Sequence, residues 1–194
     1  MSEHSITAAP RDEERLFRCV EPELRHTAML GDGDRRAIRE LMDVAFHGDF
    51  DDDDFDHALG GIHAITRAAD DAVVGHASVV QRSMLVGSRS MRCGYVEAVA
   101  VHPDWGRRGV GGKLMAAIES VIVGAYDLGA LGASEQGRGL YERRGWREWT
   151  GELGVLSPDG YRSTPDDVGS VLVWGLALNR EERLACDWRV GDVW

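Results

Sequence analysis

The stretch Val99-Ala100-Val101-His102-Pro103-Asp104-Trp105-Gly106-Arg107-Arg108-Gly109-Val110-Gly111-Gly112 decides the reading of this chain. An apolar, strand-like run passes at once into a glycine-rich turn and then into a helical pattern. The helix is read from Val110, Leu114, Ile118, Val121 and Ile122, apolar residues that recur at the 3.6-residue period. A turn entering a helix leaves several backbone N–H groups without partners and aims them one way, and the helix dipole adds roughly half a positive charge there. Such an end takes phosphate, and Arg107 and Arg108 add formal charge suited to a pyrophosphate. The same glycines would also serve an ordinary tight turn that holds no ligand.

Three cofactor classes use this device, and spacing separates them. A dinucleotide fold places GxGxxG after its first strand, with an acidic residue about 20 positions on. Here the order is GxxGxG and the turn follows mid-chain strands. A P-loop places Lys and then Ser or Thr after GxxxxG, whereas Lys113 is followed by Leu114 and the glycine spacing is off by one. Coenzyme A is the class that remains.

Working outward, residues 1–12 read as a loose polar tail and 13–194 as one domain, within the size range of a single core. LFRCVEP is expected to form a first strand. A helix follows Asp32 and Asp34, with Ile38, Leu41, Met42 and Ala45 at helical spacing, and ends before Gly48. A short second helix begins in the Asp51 to Asp54 run, where acidic side chains cap amide donors. HAITRA, AVVGHASVVQRSMLV and MRCGYVEAVAV read as three strands joined by short turns, an antiparallel meander. Beyond the glycine turn and its helix come a short strand near Ala130, a helix with Leu140 and Tyr141 that stops at Gly145, and two closing segments, Trp146 to Leu156 and Val168 to Leu178.

Composition excludes several functions. With 33 acidic against 22 basic side chains and a net charge of -11, nucleic acid and anionic membranes are disfavoured partners, and a cation is favoured. Solubility alone explains an acidic surface equally well. Cys19, Cys93 and Cys186 form no CxxC pair, and the seven histidines show no metal-ligand spacing, so neither a disulfide framework nor a metal is expected. The polar N-terminus and the lack of a roughly 20-residue apolar run point to a cytoplasmic chain with no membrane segment.

The glycine turn resembles the acetyl-CoA motif of the GNAT acetyltransferases, although Gly106 stands where that family usually has Gln or Arg. A second stretch, Leu140-Tyr141-Glu142-Arg143-Arg144-Gly145-Trp146, resembles the family's LYxxxGF signature. The resemblance implies an α+β (α/β/α) fold whose mixed, mostly antiparallel sheet is splayed between two parallel strands and flanked by helices. It implies acetyl-CoA held by Gly106, Arg107, Arg108, Gly109, Val110, Gly111 and Gly112, with its pantetheine arm on the backbone of Val99, Ala100 and Val101. It also makes Tyr141 the acid that protonates the departing thiolate. As a purely structural residue Tyr141 would pack on the sheet. A free phenol at about 10 and a thiol at about 8.5 are close enough for that transfer. Strand alternation puts Glu97 and Val99 on one face, toward the cleft. Since attack on a thioester needs a neutral amine, a carboxylate there can accept the proton directly or through water.

AFHGDF, DHALGGIHAI, MRCGYVEAVAV, GAYDLGAL, STPDD and CDWRVGDVW resemble the aminoglycoside 2'-N-acetyltransferases more closely. Carried over by position, that likeness implies aminoglycoside contacts at Asp49, Glu97, Ala98, Asp166, Asp167, Asp192 and the Trp194 carboxylate. Gly132 occupies a place where the family would bring a serine. A homodimer is implied by the resemblance alone. Competing readings are a GNAT acting on a polyamine or peptide amine, a non-catalytic acyl-CoA-binding module, and a nucleotide-binding domain.

Overall fold

The structure is a computed structural model that describes residues 21–175 and 179–194. The expected tail over residues 1–12, and nearly all of the strand expected over LFRCVEP, lie outside the described residues.

Strand β1 (Glu23–His26) pairs antiparallel with β2 (Ile62–Arg67), and β2 with β3 (Val73–Val86). Between β1 and β2 lie helix α1 (Asp32–Ala45) and the short α2 (Asp52–His57). Asp34 closes the start of α1 by accepting from the Gly31 N–H at 3.3 Å, and Asp51 caps α2 by accepting from the Asp54 N–H at 2.9 Å. Ile38, Leu41 and Met42 bury one stripe of α1 against β3 and β4 (Arg89–Val101). The meander read over β2, β3 and β4 is therefore present, and every pairing in it is antiparallel.

Helix α3 (Val110–Ala125) crosses the opposite face of the sheet and leads to β5 (Leu128–Gly132), which runs parallel to β4. A Cβ on Gly75 would stand 2.7 Å from Val110 Cγ1 and 3.1 Å from Leu114 Cδ1. The bare glycine is what lets the first turn of α3 settle on β3. Helix α4 (Glu135–Arg143) follows, and β6 (Arg147–Glu148) and β9 (Val171–Trp174) extend the sheet beyond β5. Buried Glu119 of α3 accepts from Arg144 Nε at 2.8 Å, Arg144 Nη2 at 2.5 Å and Trp146 Nε1 at 2.9 Å, so one carboxylate ties α3 to the end of α4.

The closing segments differ from the sequence reading. The segment expected over Trp146 to Leu156 holds two strands, β6 and β7 (Leu153–Ser157), separated around Gly151, where a Cβ would stand 2.0 Å from the Glu182 carbonyl oxygen. A further hairpin strand, β8 (Gly160–Ser163), pairs with β7, and β10 (Leu184–Asp187) lies between β3 and β7. Those two strands are four residues each, too short to leave a periodic signature. Residues 176–178, in the last segment expected, lie outside the described residues.

The sheet runs β6-β9-β5-β4-β3-β10-β7-β8, with the β1-β2 pair on the other half of β3's free edge. Strands β4 and β5 pair only from Cys93 with Leu128 to Tyr95 with Ala130. Beyond Tyr95, β4 continues to Val101 without a strand on that edge among the described residues, which is the splay the family resemblance implies. Apolar side chains fill both faces: Val79, Leu114, Ile118 and Trp146 under α3, and Ile38, Met42, Ile65 and Ala100 under α1.

Candidate active site

Two hollows are lined by successive parts of the splayed end of β4, one by Val101 and the other by Val96 to Val99. The first, of about 510 Å³, is a groove lined by Val101, Gly106, Arg107, Gly109, Gly111, Gly112 and, from α4, Leu140, Arg143 and Arg144. Its turn demands unusual backbone: Gly109 has φ 81° and Arg107 φ 58°, the left-handed region that glycine enters freely and arginine only under constraint. Gly109 caps α3 with no side chain, and the first helical bond there runs from the Lys113 N–H to the Gly109 carbonyl at 3.1 Å. The amides of Val110, Gly111 and Gly112 therefore precede the first helical bond and carry the positive end of the dipole. Arg107 joins the groove, while the Arg108 guanidinium lies over the Trp105 ring at 6.0 Å. Arg143 and Arg144, left unassigned in the sequence reading, add cationic lining. Among the described residues no cluster of His, Cys, Asp and Glu could hold a metal ion.

The second hollow, of about 240 Å³, is lined by Asp49, Asp54, Glu97, Ala98, Gly132 and Tyr141, with Phe46 and Phe50 at one side. Glu97 and Tyr141, 44 residues apart in sequence numbering, thus share one cavity. The Trp194 carboxyl carbon stands 3.4 Å from the point where a Cβ on Gly132 would sit, so the end of the chain borders the same space. Asp166, Asp167 and Asp192 do not line it. They cluster behind Trp194, whose Nε1 donates to Thr164 Oγ1 at 2.9 Å. Burial raises the Asp167 pKa above its usual value, and the nearby Asp192 and Asp166 carboxylates add to the rise against a lowering bond from Thr164.

A β-bulge reshapes the strand that crosses both hollows. Glu97 pairs with Ser78 and Ala100 with His76, so two residues, Ala98 and Val99, oppose the single Ala77. Glu97 and Ala100 consequently share a face. Val99 packs on the α3 side with Val101, while Ala98 and Ala100 pack on the α1 side. Strict alternation, which puts Glu97 and Val99 on one face, is overturned by this extra residue. Ala98 itself has φ 50°.

A chain of buried groups holds the bulge. The Ala98 carbonyl lies 2.8 Å from His76 Nδ1, His76 Nε2 lies 2.9 Å from His63 Nδ1, and His63 Nε2 lies 2.7 Å from Thr27 Oγ1. A carbonyl only accepts, so His76 carries its proton on Nδ1, His63 donates from Nδ1, and Thr27 donates to His63. Thr27 Oγ1 in turn accepts from the Gly60 N–H at 2.8 Å. Burial keeps both rings neutral, lowering His76 to about 3 and His63 to about 4.

Tyr141 is 7% exposed, meets Trp146 edge-on at 6.3 Å, and forms no hydrogen bond through its hydroxyl among the described residues. Burial pushes its phenol up to about 12. Burial also raises both described thiols, Cys186 to about 11 and Cys93 further, and neither lines the two hollows. Glu97 is paired with Arg189, whose Nη1 donates to Glu97 Oε1. Charge pairing across 92 residues left no mark in the sequence by which Arg189 could have been found.

Comparison with known proteins fits this geometry. Residues 28–148 match the acetyltransferase (GNAT) domain. The chain is 45% identical over 175 residues to an aminoglycoside 2'-N-acetyltransferase of Mycolicibacterium fortuitum, covering 87% of this chain and 89% of the relative. Among solved structures, the GNAT family N-acetyltransferase YhbS of Escherichia coli in complex with CoA matches with a TM-score of 0.60 at 15% identity, over 96% of this chain and 94% of its own. Eis1 of Mycobacterium abscessus matches with a TM-score of 0.55 at 19% identity, over 69% of this chain, which spans only 33% of that larger one. Both structural likenesses show the fold. The profile match and the close relative show the family: this chain is an acetyltransferase of the GNAT family.

Proposed function

We propose that the chain transfers acetyl from acetyl-CoA to the 2'-amino group of aminoglycosides, directly within a ternary complex. The observation that carries this reading is the convergence of Glu97 and Tyr141 on one hollow, whose lining residues Val99 and Tyr141 neighbour in sequence Val101 and Leu140 of the glycine-turn groove. The fit of the groove to CoA rests on the unbonded amides of Val110 to Gly112, Arg107 and Arg143 for the pyrophosphate, and on the bare edge of β4 for the pantetheine arm. When bound, acetyl-CoA supplies the thioester. Glu97, through water, accepts the amine proton.

Tyr141 serves as the acid. At about 12, the phenol holds its proton more tightly than a thiol at about 8.5. It therefore acts chiefly by donating a hydrogen bond as negative charge gathers on sulfur, in a space where the same burial disfavours a free thiolate. Selection of a polycation follows from Asp49 and Asp54, which line the hollow and carry no arginine or lysine partner among the described residues, with Asp166, Asp167 and Asp192 clustered outside it as a second acidic group. Each ammonium brought to about 4 Å of one such group gains about 4 kcal/mol before desolvation, at an effective dielectric of about 20. The relative's printed activity supports the substrate class. We further read the enzyme as a cytoplasmic homodimer.

Mass spectrometry and NMR of the product formed from acetyl-CoA and tobramycin test the reading. One added acetyl on the 2' nitrogen is expected. Faster turnover of spermidine than of tobramycin or kanamycin, or acetylation at another amine, would refute the substrate assignment. Failure to bind CoA would refute the acetyltransferase chemistry itself.

A further inference from the structure

Arg189 sits where an arginine is least expected in a site that selects cations. Its Nη1 donates to Glu97, its Nε donates to the Asp192 carbonyl at 2.6 Å, and its guanidinium lies over the Tyr95 ring at 5.4 Å. The pair is well shielded, with side-chain exposures of 14% for Arg189 and 15% for Glu97. Neighbouring groups hold the tail that carries Arg189: His57 Nε2 lies 2.7 Å from the Val190 carbonyl, and Arg82 Nη1 donates to the Val193 carbonyl at 2.6 Å. Charge around the cleft is thus divided. Asp49 and Asp54 face it without a cationic partner among the described residues, while the one carboxylate assigned to receive the amine proton is already ion-paired.

We propose that Arg189 is a positioning residue that biases the reacting amine toward its neutral form. The inference rests on the amine-acetylating reading above. An unpaired Glu97 would hold the reacting nitrogen as an ammonium, which has no lone pair with which to attack. With Glu97 ion-paired and a fixed cation beside it, the ammonium form is disfavoured and its first proton leaves to solvent, so that Glu97, through water, takes the second proton, the one the nitrogen sheds after it attacks the thioester. The carboxylates elsewhere in the cleft keep the remaining ammonium groups. A unit charge about 6 Å away at an effective dielectric of about 20 shifts such an ionisation by about a hundredfold. Other charged and titratable groups around the pair are Tyr95 on the same strand, Arg82 with its partner Asp187, Asp192 on the same segment as Arg189, Asp49, Asp53, Asp54 and His57 in or before α2, and Tyr141 of α4. Of these, only Asp192 is bonded to Arg189, through its backbone carbonyl, and Arg189→Lys keeps a cation on that segment as the control.

The test compares wild type, Arg189→Gln and Arg189→Lys with acetyl-CoA and saturating tobramycin, kanamycin or spermidine between pH 6 and 10. The pH dependence of kcat reports ionisations in the bound complex. Arg189→Gln should lose about ten- to a hundredfold in kcat at pH 7 and recover toward wild type by about pH 9, with Arg189→Lys close to wild type throughout. Calorimetry in buffers of different ionisation enthalpy should show fewer protons released on amine binding by Arg189→Gln at pH 7. A loss equal at every pH makes Arg189 merely structural and overturns the proposal. So does a lower KM for the amine with an unmoved profile, since Arg189 would then only compete with substrate for Glu97. Either result leaves the acetyltransferase reading intact, whereas a wild type that acetylates none of these amines ends both.

Discussion

Lowering the pH should unfold this protein through the two histidines that hold the Ala98 bulge. His76 and His63 are 0% and 1% exposed, and burial lowers them to about 3 and about 4 from an ordinary 6.5. The unfolded chain takes up protons as pH falls through 6.5 while the native rings stay neutral. Their contribution is whole above about pH 7 and is lost progressively below 6.5, until the native rings themselves protonate. Between pH 7 and 5 each ring costs about 2 kcal/mol, at 1.36 kcal/mol per unit, or about 4 kcal/mol together. That is a large part of the roughly 5–15 kcal/mol by which domains are stable. Urea unfolding at pH 7, 6 and 5 measures the loss, and His76→Gln isolates one ring. The variant should lose about 2 kcal/mol less than wild type over that interval. Equal losses, or an NMR titration of His76 near pH 6.5 in the native protein, would refute the neutral, directional chain from Thr27 to Ala98.

Three further outcomes follow from the same geometry. Tyr141→Phe keeps the ring on Trp146 and removes only the hydroxyl, so kcat should fall about a hundredfold or more with little change in either KM; an unchanged kcat in steady-state assays would remove Tyr141 from the chemistry. Because burial holds that phenol near 12, wild-type kcat should show no alkaline fall from Tyr141 below about pH 11, read in a pH profile extended as far as the fold survives. Glu119→Ala leaves Arg144 and the Trp146 indole N–H without their acceptor and should cost about 3–5 kcal/mol in denaturant unfolding, with a loss under 1 kcal/mol contradicting the tie between α3 and α4.

How much of this was legible depended on the range of the interaction. The glycine turn, α1, α3 and the three-strand meander are written in local spacing, and periodicity found them. Strands β8 and β10 were missed because four residues such as Leu184-Ala185-Cys186-Asp187 become a strand only through the partners on each side. The bulge was missed for a different reason. Its left-handed residue is Ala98 rather than glycine, and the force that keeps it there comes from His76, on the neighbouring strand. Tyr141 was singled out through a family resemblance and Glu97 through its place on the strand before the glycine turn, since a lone helical tyrosine or a lone glutamate carries no chemical signal by itself; the structure places both on one hollow. The acidic run beside α2 read as a solvated helix start, and Asp51 indeed caps; Asp54 does both jobs, accepting from the Asp51 N–H at 3.2 Å while lining the hollow.

The distribution of carboxylates, rather than their number, discriminates between an acidic surface kept for solubility and one built for a cationic ligand. Carboxylates that organise the fold have guanidinium partners: Asp34 with Arg67, Asp187 with Arg82, Glu119 with Arg144. Solubility alone would leave the others spread through open solvent, where they repel weakly and titrate ordinarily. Asp167 does not fit that account, because it is partly withdrawn from water, crowded by Asp166 and Asp192, and raised in pKa for both reasons. Crowding like charges in this way costs stability in the protein alone. A bound polycation would reverse that cost and lower the Asp167 pKa. Crowding of this kind is therefore expected of a surface shaped by what it binds.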